Sequence, residues 1–523
     1  MNVTEPHCYQ RIRYIYPALL ACFIGILASH ATEEDAGLPE AEVQTLRERL
    51  TEREDEMRVE DPWVIDILDR PLSILGQYEI AIEFFNQLSF GFSTNYGQRL
   101  LEQEVELELF YPLHDWVTLF AQVKFGMEEE LDRDNPDQLS GSFVERGEMW
   151  IFIAEDPEDA PFSFEIGRLE FEDDRLWWWD EDLDAVRLAL DGDALGIELS
   201  IAEERFPNRS DQDHIDPEQE DVRRLLAEGS WDWAEDQEIG IFFLRADDRS
   251  STEREGAIVS TDREDESDAD LEWHGIRAQG AVDMGGLGGL AYWLDAARIH
   301  GNETIIEFGD GTESEEGGED EDGEEDEKAE SSPPLPRGKS LVSGTVKQRV
   351  RGWGYDLGAT WLMPMPGDPR LTLAYARASG DKSPGSRSDR AYRQTGLQGN
   401  EPGFGGVERF SGYGNVLDPE LSNLSIMTIG LGVSILDNSS IDLVFHEYTL
   451  LEHAEELRDA RIDAELTGID REIGRGIDLI ASFKEWDTAE FLVSMSMFET
   501  GDAFGLERGE WIYGNFYAFR IAF

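Results

Sequence analysis

Lysine is almost missing from this chain. Six lysines stand among 44 basic residues against 114 acidic ones, which leaves a formal net charge of −70 over 523 residues. A surface of that sign cannot neutralise phosphates, so a nucleic-acid binder acting through a basic surface is excluded. Cysteine is nearly missing too. Cys8 and Cys22 are the only two, too few for a disulfide scaffold or a cysteine-based zinc site. After the first thirty residues no apolar run reaches the roughly 20 residues that a membrane-crossing helix needs. What the chain holds instead argues against disorder: 40% of it is hydrophobic, with 14 Trp, 14 Tyr and 27 Phe, far too many for a solvated tail. With 50 glycines, a large, acidic, aromatic-rich chain of all-β type remains.

Arg11 and Arg13 precede an apolar stretch from Tyr14 to Leu27, and small residues follow at Ala28, Ser29 and Ala31. That layout is a secretory signal, residues 1–31, cut after Ala31. Leu19-Leu20-Ala21-Cys22 loosely matches a lipoprotein signal, but Phe23, Ile24, Ile26 and Leu27 carry the apolar stretch past the cysteine. Either way the chain leaves the cytoplasm. Residues 32–62 form a polar arm, in which Val43, Leu46, Leu50 and Met57 fall near heptad spacing with Arg53 interrupting the seam. A coiled-coil arm that docks a partner and a solvated, partly helical tail are equally good readings.

From Tyr78 onward the period becomes 2. In Tyr78-Glu79-Ile80-Ala81-Ile82-Glu83-Phe84, and again in Val105-Glu106-Leu107-Glu108-Leu109, apolar and polar residues alternate. Seventeen such segments run from Tyr78 to Phe523, with none between Ala202 and Ile239. Their lengths suit tilted strands that cross a bilayer. The polar face carries Glu, Gln, Arg and Ser, which suits a wet lumen better than a dry core, and the connections are alternately short and long. Trp511, Tyr513, Tyr517, Phe519, Ile521 and the terminal Phe523 share one face, broken only by Asn515. A last strand of outward aromatics ending in Phe is the mark by which the barrel-assembly machinery of the outer membrane selects its clients. The expectation is a transmembrane antiparallel β-barrel over residues 63–523, in contact with outer-membrane lipid and lipopolysaccharide.

Few residues stand out as chemistry. The run from Glu313 to Glu330 holds twelve acids and Lys328. It fails as a calcium loop, since Gly318 and Ala329 would occupy the first and last ligand positions, so it reads as an acidic extracellular loop within 301–340. Gly285-Gly286-Leu287-Gly288-Gly289 opens no helix and reads as a hairpin turn. The eight histidines show no metal-ligand spacing, and no nucleophile motif points to an enzyme. Arginine is more informative, because its planar fork suits carboxylates. A bulge at Gly167 would turn Arg168 toward the lumen, while Arg187, between Val186 and Leu188, faces inward and pairs with lumenal acids.

The sequence resembles the alginate export family, outer-membrane barrels of about eighteen strands that pass an anionic exopolysaccharide. The likeness is carried by Glu148-Met149-Trp150, Ile166-Gly167-Arg168, Trp178-Trp179-Asp180, Asp182 and Asp184-Ala185-Val186. It continues through Tyr355-Asp356-Leu357-Gly358, Gln394-Thr395-Gly396-Leu397 with Asn400, Arg409-Phe410, Glu420-Leu421-Ser422-Asn423-Leu424 and Gly501-Asp502-Ala503-Phe504-Gly505. The resemblance implies an arginine-containing lumen, with Arg168 and Arg409 attracting uronate carboxylates and Asp180, Asp182 and Asp502 lining the same path. It also implies passive export without a cofactor, alongside a periplasmic scaffold protein. Three departures stand out. The strand Leu492 to Met497 lacks the family's arginines, Glu401 replaces another, and only Lys484 to Ala489 stands where a long plugging turn is expected. They imply a more open, less anion-selective barrel, and leave a general diffusion or uptake porin on the same barrel as the alternative. The acidic run contributes −11 of the −70 and the arm −8. The excess is therefore spread along the chain, as adaptation of exposed loops to high salt would require.

Overall fold

The computed structural model describes residues 62–523, apart from 87–88, 91–97, 132–139, 156–160, 251–253, 310–337, 384 and 405–409, together with Arg47 and Leu50. The expected signal, nearly all of the arm and the acidic run lie outside the described residues.

Eighteen antiparallel strands close on themselves. The first nine are β1 (Arg70–Phe85), β2 (Gln98–His114), β3 (Val117–Glu130), β4 (Ser140–Ala154), β5 (Phe162–Glu172), β6 (Asp180–Gly192), β7 (Leu195–Ala202), β8 (Val222–Ala234) and β9 (Gln237–Asp248). The rest are β10 (Ser267–Asp283), β11 (Gly289–Gly309), β12 (Lys339–Leu362), β13 (Arg370–Ala378), β14 (Leu424–Ser434), β15 (Ser439–Leu450), β16 (Glu472–Trp486), β17 (Ala489–Thr500) and β18 (Trp511–Ala522). The chain ends meet: β18 pairs with β1 from Gln77↔Ala522 to Phe85↔Gly514, which removes the open edges that a lipid environment forbids. A short strand, Trp63–Ile67, folds back on the start of β1.

The connections alternate as expected. Turns at one end are tight, as at Ala234↔Gln237 or at Trp486↔Ala489. Those at the other end are long, the longest described one being 379–423. Gly285–Leu287 is the expected hairpin turn.

The period-2 pattern sorts side chains by environment. Outward residues such as Ile241, Leu373, Leu431 and Leu443 are exposed at 58, 53, 54 and 47%, while their inward neighbours Phe242 and Val444 are buried. So wide an apolar band would be a liability in water, but it is the surface that a bilayer covers. Exposed Trp231, Trp233 and Trp486 mark the tight-turn rim, with Trp353 on the opposite side of the band.

One strand was not legible in the pattern. β8 reads VRRLLAEGSWDWA, and its burial alternates at Val222, Arg224 and Leu226 while its polarity does not. Its inward face mixes a charge with aliphatics, and small residues interrupt its outward face, so the 2-period is carried by position alone.

Candidate functional site in the barrel lumen

The lumen holds chain. The segment 379–423 between β13 and β14 turns into the barrel, and lumen-facing glycines make the room it needs. A Cβ on Gly352 would stand 2.4 Å from the Tyr392 backbone, one on Gly430 2.4 Å from the Phe404 ring, and one on Gly514 3.3 Å from Val416. Those three contacts reach β12, β14 and β18, so the segment leans on widely separated parts of the wall. The short β16–β17 turn therefore does not leave an open bore, contrary to the expectation drawn from it. A different part of the chain fills the space.

The segment is tied in a polar knot. The Gln394 and Asn400 side-chain amides donate to each other at 2.8 and 2.9 Å, and the Leu421 N–H donates to Gln394 Oε1 at 2.8 Å. The Gln394 N–H donates to Glu420 Oε1 at 2.6 Å, and Glu420 Oε2 accepts from Arg458 at 2.8 Å. The turn 173–179 joins in: the Asn400 N–H donates to Leu176 O at 2.8 Å, the Asp180 N–H to Leu397 O at 2.5 Å, and the Thr395 hydroxyl to Trp178 O. Asn400 takes φ 55° and Gly396 φ 74°, a region that these two residue types tolerate best. The QTGL, ELSNL and tryptophan motifs, far apart in sequence, are thus one object.

An ionic chain anchors this knot to the wall. Arg277 of β10 bonds Asp295 of β11 at 2.6 Å and also Asp173. Arg175 reaches Asp295 at 3.0 Å and Asp356 of β12 at 3.4 Å, and its guanidinium lies 4.4 Å from the Trp293 ring centroid. The Tyr413 hydroxyl donates to Asp356 at 3.1 Å and accepts from Trp177 Nε1 at 2.8 Å. Burial holds the Tyr413 phenol well above its usual range, so it remains a donor. Asp173 Oδ1 in turn accepts the Trp178 and Trp179 N–H groups at 2.7 and 3.1 Å. Buried charges of this density persist only when paired and bonded.

Beside the knot lies a cavity of about 350 Å³, lined by Arg187 and Arg277 against eight carboxylates. Arg187 holds Glu165 at 3.2 Å and Glu198 at 3.6 Å, as expected of an inward arginine among lumenal acids.

The five residues singled out in the sequence do not form one cluster. The ladder through Gly167 shows no bulge. Gly167 takes φ 148°, β5 stays in register with β6, and pairing with β4 ends at the next residue. Arg168 keeps the face of Ile166, 3.8 Å from Asp182 and 3.6 Å from Glu204, and is 4% exposed. The chain after β7 covers it: Arg146 binds Asp184 at 2.8 Å together with the Phe206 and Pro207 carbonyls. Asp180 sits at the QTGL turn. Asp502 pairs with Arg508 at 2.5 Å in the rim turn Asp502–Glu507. Arg409 lies outside the described residues.

Sequence reasoning missed Arg175, Arg277, Arg393 and Asp295. Arg393 grips Glu303 at 2.6 Å and Asp389 at 2.7 Å. The one signal available was glycine at alternate inward positions, as at Gly352 and Gly354, which marks room made for another part of the chain. The histidines also meet unexpectedly. Glu272, His274 and His300 bring their ligand atoms within 4.8 Å of one another across the β10–β11 ladder, which no linear spacing announces.

Residues 70–513 match the family described as "Alginate export". The alginate production protein AlgE of Pseudomonas aeruginosa is 24% identical over 74% of this chain and 76% of its own length. The protein of that name from Azotobacter vinelandii is 24% identical over 58% of each chain. Among solved structures, Acinetobacter baumannii OccAB1 superposes with a TM-score of 0.53 at 9% identity, over 86% of this chain and 96% of that one, which is a likeness of fold alone.

Proposed function

The chain belongs to the alginate export family, and from that premise we propose that it passes an acidic polysaccharide out through the outer membrane of a Gram-negative cell. One observation carries the substrate reading: the motif-bearing segments fold together inside the barrel, across the route a polymer would take. A uronate entering the cavity meets Arg187 already holding Glu165 and Glu198. It can exchange with Glu198, like for like, because that carboxylate is 44% exposed and water takes it up when it is displaced, so the guanidinium stays paired and the hold is brief. The surplus of carboxylates works in the same direction, because it prevents a polyanion from lodging. Passage requires the knotted segment to give way, since it leans on β12, β14 and β18. Direction then comes from supply at the synthesis side, and no chemical step is needed.

Planar-bilayer recordings test this reading. Oligouronates should reduce the ionic current at ionic strengths that screen the cavity acids, while neutral oligosaccharides of equal length should not. Arg187→Gln should weaken that block. Cation preference with no block by polyuronate at any salt concentration would remove the acidic substrate.

A further inference from the structure

Arg175, Arg187, Arg277 and Arg393 in the lumen are held by carboxylates; on one patch of the outer wall the cations are not. The outward positions of β12 alternate as Lys347, Arg349, Arg351, Trp353 and Tyr355, with Val350, Gly354 and Asp356 buried between them. The ladder sets Arg298 of β11 beside Trp353, and Arg377 of β13 beside Tyr355. Arg387 arrives from the lumenal segment, its carbonyl accepting the Arg349 N–H at 3.0 Å. With Lys347, Arg349 and Arg351 it lines an open groove that Asp268 and Asp270 also border.

None of these six cations makes a side-chain hydrogen bond or ion pair with a described residue. Carboxylates are not scarce here, but those next door are engaged: Asp270 and Glu272 hold Arg245, and Glu272 also holds His300. The patch has a definite height as well. Trp353 stands nine residues above Leu362, the end of β12 at the tight-turn rim. A strand tilted by about 40° gains roughly 2.5 Å per residue, so Trp353 marks the top of an apolar band of about 25 Å. Its ring stacks on Tyr355, centroids 5.8 Å apart at 11°, as interfacial aromatics do. Arg351, Arg349 and Lys347 take the next steps outward, where headgroups lie.

We propose that this patch binds the phosphate-bearing headgroup of an outer-leaflet glycolipid. Arg349 and Arg351 fork the phosphate, Lys347, Arg298, Arg377 and Arg387 supply further charge, and Trp353 with Tyr355 packs against the sugar and the first acyl carbons. Guanidinium forks match phosphate oxygens in geometry and charge, and the position beside lipid, outside the lumen, selects a lipid over the transported polymer. The site is independent of the channel's substrate.

Native mass spectrometry of the full chain, with diphosphoryl lipid A and its dephosphorylated form as probes, tests the proposal. Wild type should prefer the phosphorylated lipid, and Arg349→Gln with Arg351→Gln should weaken that binding by about tenfold or more. Arg349→Lys with Arg351→Lys should retain most of it. Arg471→Gln with Arg475→Gln, which changes two exposed rim arginines elsewhere, should leave it intact and controls for net charge. Equal binding of the two lipids, or equal loss in the rim control, overturns the proposal. So does a phosphate preference that emerges only after deletion of 313–330, because the chain's own acidic run would then be the occupant.

Discussion

Arg277 inside the barrel and Arg349 outside it carry the same guanidinium, yet one grips two aspartates and the other grips no described residue. Their surroundings explain the difference. Arg277, Asp173 and Asp295 have side chains no more than 2% exposed, and a lone charge so placed loses hydration that nothing returns. Arg349 stands at the rim, where water and headgroups solvate it. The cluster around Arg277 therefore reads as a closed ionic lattice, and the outer rim as a surface that awaits a partner.

The lattice side of this contrast should break hardest. Arg277→Met leaves Asp173 and Asp295 buried, with Arg175 the nearest remaining cation, and should destabilise the barrel by about 3–5 kcal/mol. Arg349→Met should change stability by about 0.5 kcal/mol or less. Urea unfolding of both variants in lipid vesicles measures the difference, and equal effects would dissolve the comparison.

The outer wall has its own forbidden zone below the rim. Ile241 is 58% exposed within the lipid band, and Ile241→Arg should cost about 2–4 kcal/mol near mid-depth. The same substitution in water would be nearly neutral, so refolding into vesicles against solubility in detergent separates the two environments. A cost close to zero would mean that lipid does not cover this face.

A smaller effect on stability, with a larger one on transport, is expected inside the knot. Gln394→Ala strands the Asn400 amide and the Leu421 N–H, a loss of about 1–3 kcal/mol. Because the barrel wall stays closed, single-channel conductance should rise. Gly352→Val should act similarly, since its side chain would meet the Tyr392 backbone. Unchanged conductance in both variants would mean that the segment is not what limits the pore.

These variants also show what the sequence could reveal. Alternation at Tyr78 to Phe84 and the outward aromatics of β18 identify a barrel, because every strand there faces lipid on one side and polar groups on the other. β8 escaped because its inward face mixes Arg224 with Val222 and Leu226. The motifs QTGL and ELSNL were visible as strings, but that they knot inside the lumen depends on where 379–423 turns, which period-2 patterning does not encode. Arg175 and Arg277 were invisible for a related reason. Asp295 and Asp356 become their partners only once strand register is set. A one-residue slip would send each acid to the other face.

The least disruptive variant probes the boundary between the two regimes. Arg245 is 42% exposed and pairs with Asp270 at 3.0 Å and Glu272 at 3.3 Å on the outward face. It is paired like Arg277 but solvated like Arg349. If pairing alone sets the energetic weight, Arg245→Gln should resemble Arg277→Gln. If burial sets it, the loss should stay below about 1 kcal/mol and shrink further as salt rises, since exposed pairs are screened. We expect the second result from vesicle unfolding at low and high ionic strength, with Arg277→Gln remaining costly in both, because its partners lie out of reach of the salt.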